Sequence, residues 1–104
     1  DYNKKQIDGP TDDVLSLGDL RAKYESFGWK VWECNGNDMQ ELVDTFNKIR
    51  ENAHKGQSQI LLAHTEMGMG VDFMMGTHKW HGVAPNDEQA ANALSQLKET
   101  LGDY

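Results

Sequence analysis

The chain has a single cysteine, a shortage of basic residues and no long apolar run. Cys34 stands alone among 104 residues, so no internal disulfide can form, which suits a reducing compartment. Ten Lys and Arg face seventeen Asp and Glu, a formal net charge of −7, and they are scattered, with no basic stripe interleaved with aromatics. That balance opposes a nucleic-acid surface and makes the overall field repulsive to any bare anion. No segment reaches the roughly 18 consecutive apolar residues of a membrane-spanning helix, and no signal-peptide pattern is present. Neither membrane nor export is indicated, and the cytoplasm is expected. Also missing are the C-x-x-C and H-E-x-x-H spacings of common metal sites.

The length of 104 residues allows one domain at most. A chain of this size buries roughly 60 to 68% of its unfolded surface, enough for a modest core. Its hydrophobic share of 38% is low and its charged share of 26% ordinary, which points to a folded but marginal unit.

The chemistry-bearing stretch is Glu66-Met67-Gly68-Met69-Gly70-Val71, with Trp80-His81-Gly82 ten residues further on. It directly follows the apolar run Ile60-Leu61-Leu62-Ala63. Glycines at 68 and 70 permit positive φ and a close approach of backbone to a ligand. The connection over 66–85 is long for a compact domain, and such loops are usually functional or disordered. A phosphate-bearing ligand is the expectation, attracted by backbone N–H groups and a metal ion because the net charge repels it. A mobile glycine loop with no ligand is the alternative, since a lone G-x-G is weak evidence.

The order along the chain is helix, strand, helix, strand, long loop, helix. A helix over 17–27 is expected, with Ser16 as N-cap and Leu17, Leu20, Tyr24 and Phe27 at helical spacing before Gly28. Residues 29–34 read as a strand closed by the turn Asn35-Gly36-Asn37. A second helix over 39–53 opens on Asp38 as cap, with Met39, Leu42, Val43, Phe46 and Ile49 on one face. Lys48 and Arg50 sit where its dipole favours cations.

A strand over 58–64 lacks alternation, as in a parallel sheet covered on both faces. The last helix is expected over 87–101, from Asn86 with Gln89 at the capping-box position to Gly102 as stop. Alternating helices and strands imply an α/β domain whose ligand lies beyond the carboxyl ends of the strands. Two strands cannot make a sheet buried on both faces, and Asp1 is no initiator, so further sheet is expected before Asp1. The fold class is therefore a partial parallel sheet flanked by helices.

The segments Asp1-Tyr2-Asn3 through Ile7-Asp8-Gly9, Tyr24 to Trp29, Asn35-Gly36-Asn37-Asp38, Met67 to Val71, Trp80-His81-Gly82 and Ala84-Pro85 occur in a specific order. In that order the chain resembles the thiamin-diphosphate-binding region of transketolase, particularly the separately encoded amino-terminal subunit of some bacteria. The resemblance covers almost the whole chain. It implies an assembled enzyme that moves a two-carbon ketol unit between sugar phosphates with thiamin diphosphate and Mg²⁺. It also implies that the Asn3 side-chain oxygen and the Lys5 backbone carbonyl bind Mg²⁺, oxygen donors of the kind that ion prefers. Ile7 would be an apolar contact to the cofactor, and the loop at Met67, Gly68, Met69 and Gly70 would close over its diphosphate. His81 would reach cofactor and substrate as a hydrogen-bond donor or proton-transfer group, in keeping with an unperturbed pKa near 6.5.

The chain departs from the family pattern in two ways. Many relatives carry lysine where this loop has Met67 or Met69. The Gly-Asp-Gly half of the cofactor signature, with its carboxylate, is absent, as are the activating glutamate and the pyrimidine-binding surface. The partners expected are therefore the remainder of the cofactor-binding domain and a pyrimidine-binding subunit, with no activity from this chain alone. Two other readings remain: a non-catalytic α/β module that folds alone or as a homo-oligomer, and a zinc site from His64, His78 and His81. Asn3 could also simply cap a turn.

Overall fold

A short hairpin opens the chain, β1 (Lys5–Gln6) pairing antiparallel with β2 (Gly9–Pro10). Then follow α1 (Thr11–Leu15), α2 (Leu20–Ser26), β3 (Lys30–Asn35), α3 (Met39–Glu51), β4 (Gln59–His64) and α4 (Asp87–Gln96). The structure is a computed structural model and describes residues 1–53 and 55–98.

β3 and β4 run parallel, from Lys30 beside Gln59 to Asn35 beside His64. A parallel pair needs a crossover, and α3 supplies it. Successive side chains on a strand point to opposite faces, and the two faces of β3 meet different helices. Glu33 receives Arg21 of α2 at 3.0 Å. On the other face the Lys30 ammonium reaches Asn52, at the end of α3, and Trp32 Nε1 donates to Gln59, whose amide donates to the Ile49 carbonyl of α3. The sheet is thus flanked by helices on both sides, as the unalternated strand implied. Tyr2 adds one parallel rung on β4, bridging to His64 with its N–H donating to the Ala63 carbonyl at 2.8 Å.

The core is thin. Val31, Cys34, Leu62, Val71, Ala93 and Thr45 are buried, and among the described residues no large side chain is fully enclosed. Phe27, Leu15 and Leu94 remain 79%, 76% and 71% exposed.

Several local expectations change. Ser16 is not the N-cap of the first long helix. It ends α1, its hydroxyl donating to Asp12 and accepting from the Gly18 N–H, and α2 begins beyond it at Leu20. Asp19 caps α2 instead, accepting from the Ala22 N–H at 2.9 Å, because its carboxylate reaches a donor that helix geometry leaves free. Leu17 therefore lies outside the helix.

On α3 the expected apolar face divides. Leu42, Thr45 and Ile49 turn inward, and the Thr45 hydroxyl is satisfied by the Glu41 carbonyl at 2.7 Å. Met39, Val43 and Phe46 stay exposed. The final helix stops at Gln96 rather than running to 101, with Leu97 extended. Leu101 and Gly102 lie outside the described residues. Asn86 and Gln89 do form the complete reciprocal capping box.

Candidate functional site

Both parallel strands end at one level, and beyond them opens a cleft of about 380 Å³. Residues 2–5 form one wall, Asn35 and Asn37 another, and His64, Thr65, Glu66 and Met69 the third. Side-chain amides build it. Asn3 Oδ1 accepts from the Lys5 N–H at 2.8 Å, a turn that holds Lys4 in the left-handed region at φ 59°. Asn35 Oδ1 likewise accepts from the Asn37 N–H at 3.0 Å, and Asn37 Oδ1 from the Glu66 N–H at 2.6 Å.

Between those two asparagines lies Gly36, where an added Cβ would stand 2.5 Å from Thr65 Cγ2 and 2.9 Å from Ala63 Cβ. Glycine lets the turn rest directly on the end of β4. His64 is held from two sides. The Tyr2 ring lies 5.2 Å away, centroid to centroid, and Glu33 Oε2 is 3.4 Å from its Nε2. Glu33 is in turn anchored by Arg21, which also binds Glu25 at 3.0 Å. The Glu25 hydrogen bond, joined by that of Glu33 and partly opposed by desolvation, raises the Arg21 pKa above its ordinary value.

The long connection is folded on itself. Glu66 Oε1 accepts from the Gly76 N–H at 2.7 Å, and Val71 is buried within the coil. The Phe73 and Trp80 rings pack edge-on, and Trp80 Nε1 donates to the Phe73 carbonyl. Asp72 and Gln96 exchange two hydrogen bonds of 2.8 Å, tying this segment to α4. Gly70, at φ 95°, lies against Leu97, where a Cβ would meet Cδ2 at 2.9 Å.

Of the residues expected at a site, Asn3, Lys5 and Met69 line the cleft. Met67, Gly68 and Gly70 lie beside Met69 in the same coil without lining it. Ile7 stands apart on the hairpin tip, its Cδ1 only 3.8 Å from where a Cβ on Gly82 would be. The tip therefore neighbours the turn that carries His81, which is exposed and lines no part of the cleft. Tyr2, Lys4, Asn35, Asn37 and Thr65 were not foreseen, His64 was a candidate only for zinc, and Glu66 only the start of the glycine stretch. Their signal was positional: each is at or just beyond the carboxyl end of a strand, or joins that end from Tyr2.

Among the described residues no three His, Cys, Asp or Glu side chains gather into a metal site, which overturns zinc binding by His64, His78 and His81. The oxygens present suit Mg²⁺ better. An amide oxygen accepting one hydrogen bond keeps a second lone pair, so Asn3 can still offer it. The turn-capping role of Asn3 and a metal role are therefore compatible.

The family profile described as "Transketolase, thiamine diphosphate binding domain" matches residues 1–102. This chain belongs to that transketolase family. It is 38% identical over 101 residues to an apulose-4-phosphate transketolase subunit of Phocaeicola vulgatus, covering 97% of this chain and 35% of that protein. The protein of the same name from Actinobacillus succinogenes is 38% identical over 99 residues, 95% of this chain and 35% of that protein. Transketolase from Pichia stipitis, a solved structure of a variant, superposes with a TM-score of 0.78 at 25% identity, over 91% of this chain and 14% of that one. The transketolase fold is therefore shared, while the chain spans about a third of the length of the curated relatives it matches.

Proposed function

We propose that this chain is the cofactor-cradling part of a transketolase that transfers a two-carbon ketol unit between sugar phosphates. One observation carries the proposal: Asn3 and Lys5, the positions that match the family's metal ligands, share one cleft with the carboxyl ends of both parallel strands. Thiamin diphosphate, when bound, supplies the carbon-bond chemistry. The chain's own part is to bind and orient. Asn3 Oδ1 and the Lys5 carbonyl are the metal donors, and Met69 closes the cleft from the loop side. His81, next to the hairpin tip at Ile7, is the proton-transfer or hydrogen-bond donor for the substrate.

Asn3 and Lys5 offer only neutral oxygens, which hold Mg²⁺ weakly against water, and the Glu66 carboxylate is turned to the Gly76 N–H, so the carboxylate ligand is supplied by the remainder of the cofactor domain. The thin core and exposed large side chains support the same division, since apolar surface on this scale calls for a cover. The Phocaeicola and Actinobacillus relatives are both named as one subunit of a transketolase, which supports a separate pyrimidine-binding partner for this chain as well.

The test is ketol transfer from apulose 4-phosphate, followed with thiamin diphosphate and Mg²⁺ present. Turnover is expected when the chain is joined to the remaining two thirds of the Phocaeicola relative and mixed with that relative's partner. It should fall at least tenfold with Asn3→Ala and be absent from the chain alone. No turnover from the assembly would end the proposal.

A further inference from the structure

An asparagine that is to offer its oxygen to a cation must be kept from offering its nitrogen. The two ends of the amide are nearly the same size, so their neighbours decide which faces where. Around Asn3 those neighbours are unambiguous. The Lys5 N–H can only donate, and it meets Oδ1 at 2.8 Å. The Asp1 carboxylate can only accept, and its Oδ2 meets Nδ2 at 2.9 Å. The other carboxylate oxygen, Oδ1, accepts from the hydroxyl of Thr65, the cleft residue that follows β4. Turning the amide over would set oxygen against carboxylate and NH₂ against N–H.

We infer that Asp1 is a positioning residue, whose carboxylate locks the Asn3 amide with its oxygen available and braces it to Thr65 at the end of β4. The inference rests on the reading of this cleft as a metal and cofactor site. It adds a residue that touches neither group. Partners of this kind behind a ligand fix its orientation, and losing one typically weakens metal binding about 10–100-fold. Asp1→Asn keeps an acceptor for the Asn3 NH₂, while the Thr65 hydroxyl can rotate to suit its new neighbour. Asp1→Ala removes both bonds. The pair of variants separates geometry from charge.

The experiment has two readouts on the full chain. The first is the side-chain amide signal of Asn3 in ¹⁵N NMR spectra without ligand. Asp1→Ala should move it toward the position of a free, solvated amide, Thr65→Ala should move it part of the way, and Asp1→Asn should leave it hydrogen-bonded. The second is a Mg²⁺ titration in the presence of inorganic pyrophosphate. Here the midpoint should rise about tenfold in Asp1→Ala and stay within about threefold of the parent in Asp1→Asn. An Asn3 signal indifferent to Asp1→Ala would overturn the inference. So would Asp1→Asn matching Asp1→Ala, which would make charge the cause. A parent chain that binds Mg²⁺ and pyrophosphate too weakly to titrate is what the cofactor reading expects without the carboxylate of the remaining domain, and the amide spectrum then decides the role of Asp1.

Discussion

Met74 occupies the space that a side chain on Gly68 would need: a Cβ there would lie 2.5 Å from Met74 Cβ and 2.9 Å from its carbonyl carbon. Gly68 also sits at φ 73°. The first glycine of the loop is thus required twice, by its backbone angle and by the coil that packs upon it. Gly68→Ala should therefore destabilise the chain by more than the about 1–2 kcal/mol of the left-handed backbone alone. Urea unfolding checks this, with limited proteolysis expected to cut within 67–76.

Gly36 presents the opposite case, a glycine with ordinary φ whose need is purely steric. Gly36→Ala should cost about 1–3 kcal/mol, by pressing the turn away from the end of β4. Thr65→Ser removes the nearer obstacle, Cγ2, so the double variant should recover part of that loss. A thermal-shift comparison of both single variants and the double variant measures the coupling.

Gln96 links α4 to Asp72, and it both donates and accepts there. Gln96→Ala should leave global stability within about 1 kcal/mol, because Asp72 is exposed and Gln96 only half-buried. The segment around Asp72 should nevertheless open more often. Hydrogen exchange at the Asp72 amide should speed up several-fold while amides of β3 and β4 stay unchanged.

Asn86 and Gln89 satisfy each other's backbone N–H groups at the start of α4. Asn86→Ala should cost about 1 kcal/mol, and Asn86→Ser appreciably less. Circular dichroism during urea unfolding gives both values.

The helix starts at Asp38 and Asn86 were legible because a cap acts on donors only three residues away. The start of α2 was misread for a related reason. Ser16 and Asp19 both have capping side chains, and the choice fell to Asp19 because Gly18, at φ 58°, takes the chain through a turn first. The seam on α3 was only half legible. Periodicity groups Met39, Val43 and Phe46 with Leu42 and Ile49, but only contact with β3 distinguishes the covered edge of that stripe from the open one.

At the site, Asn3, Lys5 and Met69 were reached through the family resemblance rather than through spacing. Asn35, Asn37 and Glu66 were read as turn or loop residues. They come together only when two segments about thirty residues apart meet, as in the bond from the Glu66 backbone N–H to Asn37 Oδ1.

What the sequence determined by itself acts over a few residues: the caps at Asp38 and Asn86, the turn at 35–37, the unalternated strand and, through ordered motifs, the family. Tertiary structure alone decided which residues share a wall. Strand ends are brought level by register, and the rung from Tyr2 to β4 carries Asp1 and Asn3 to the cleft. Register depends on packing between distant segments, and no local propensity encodes it.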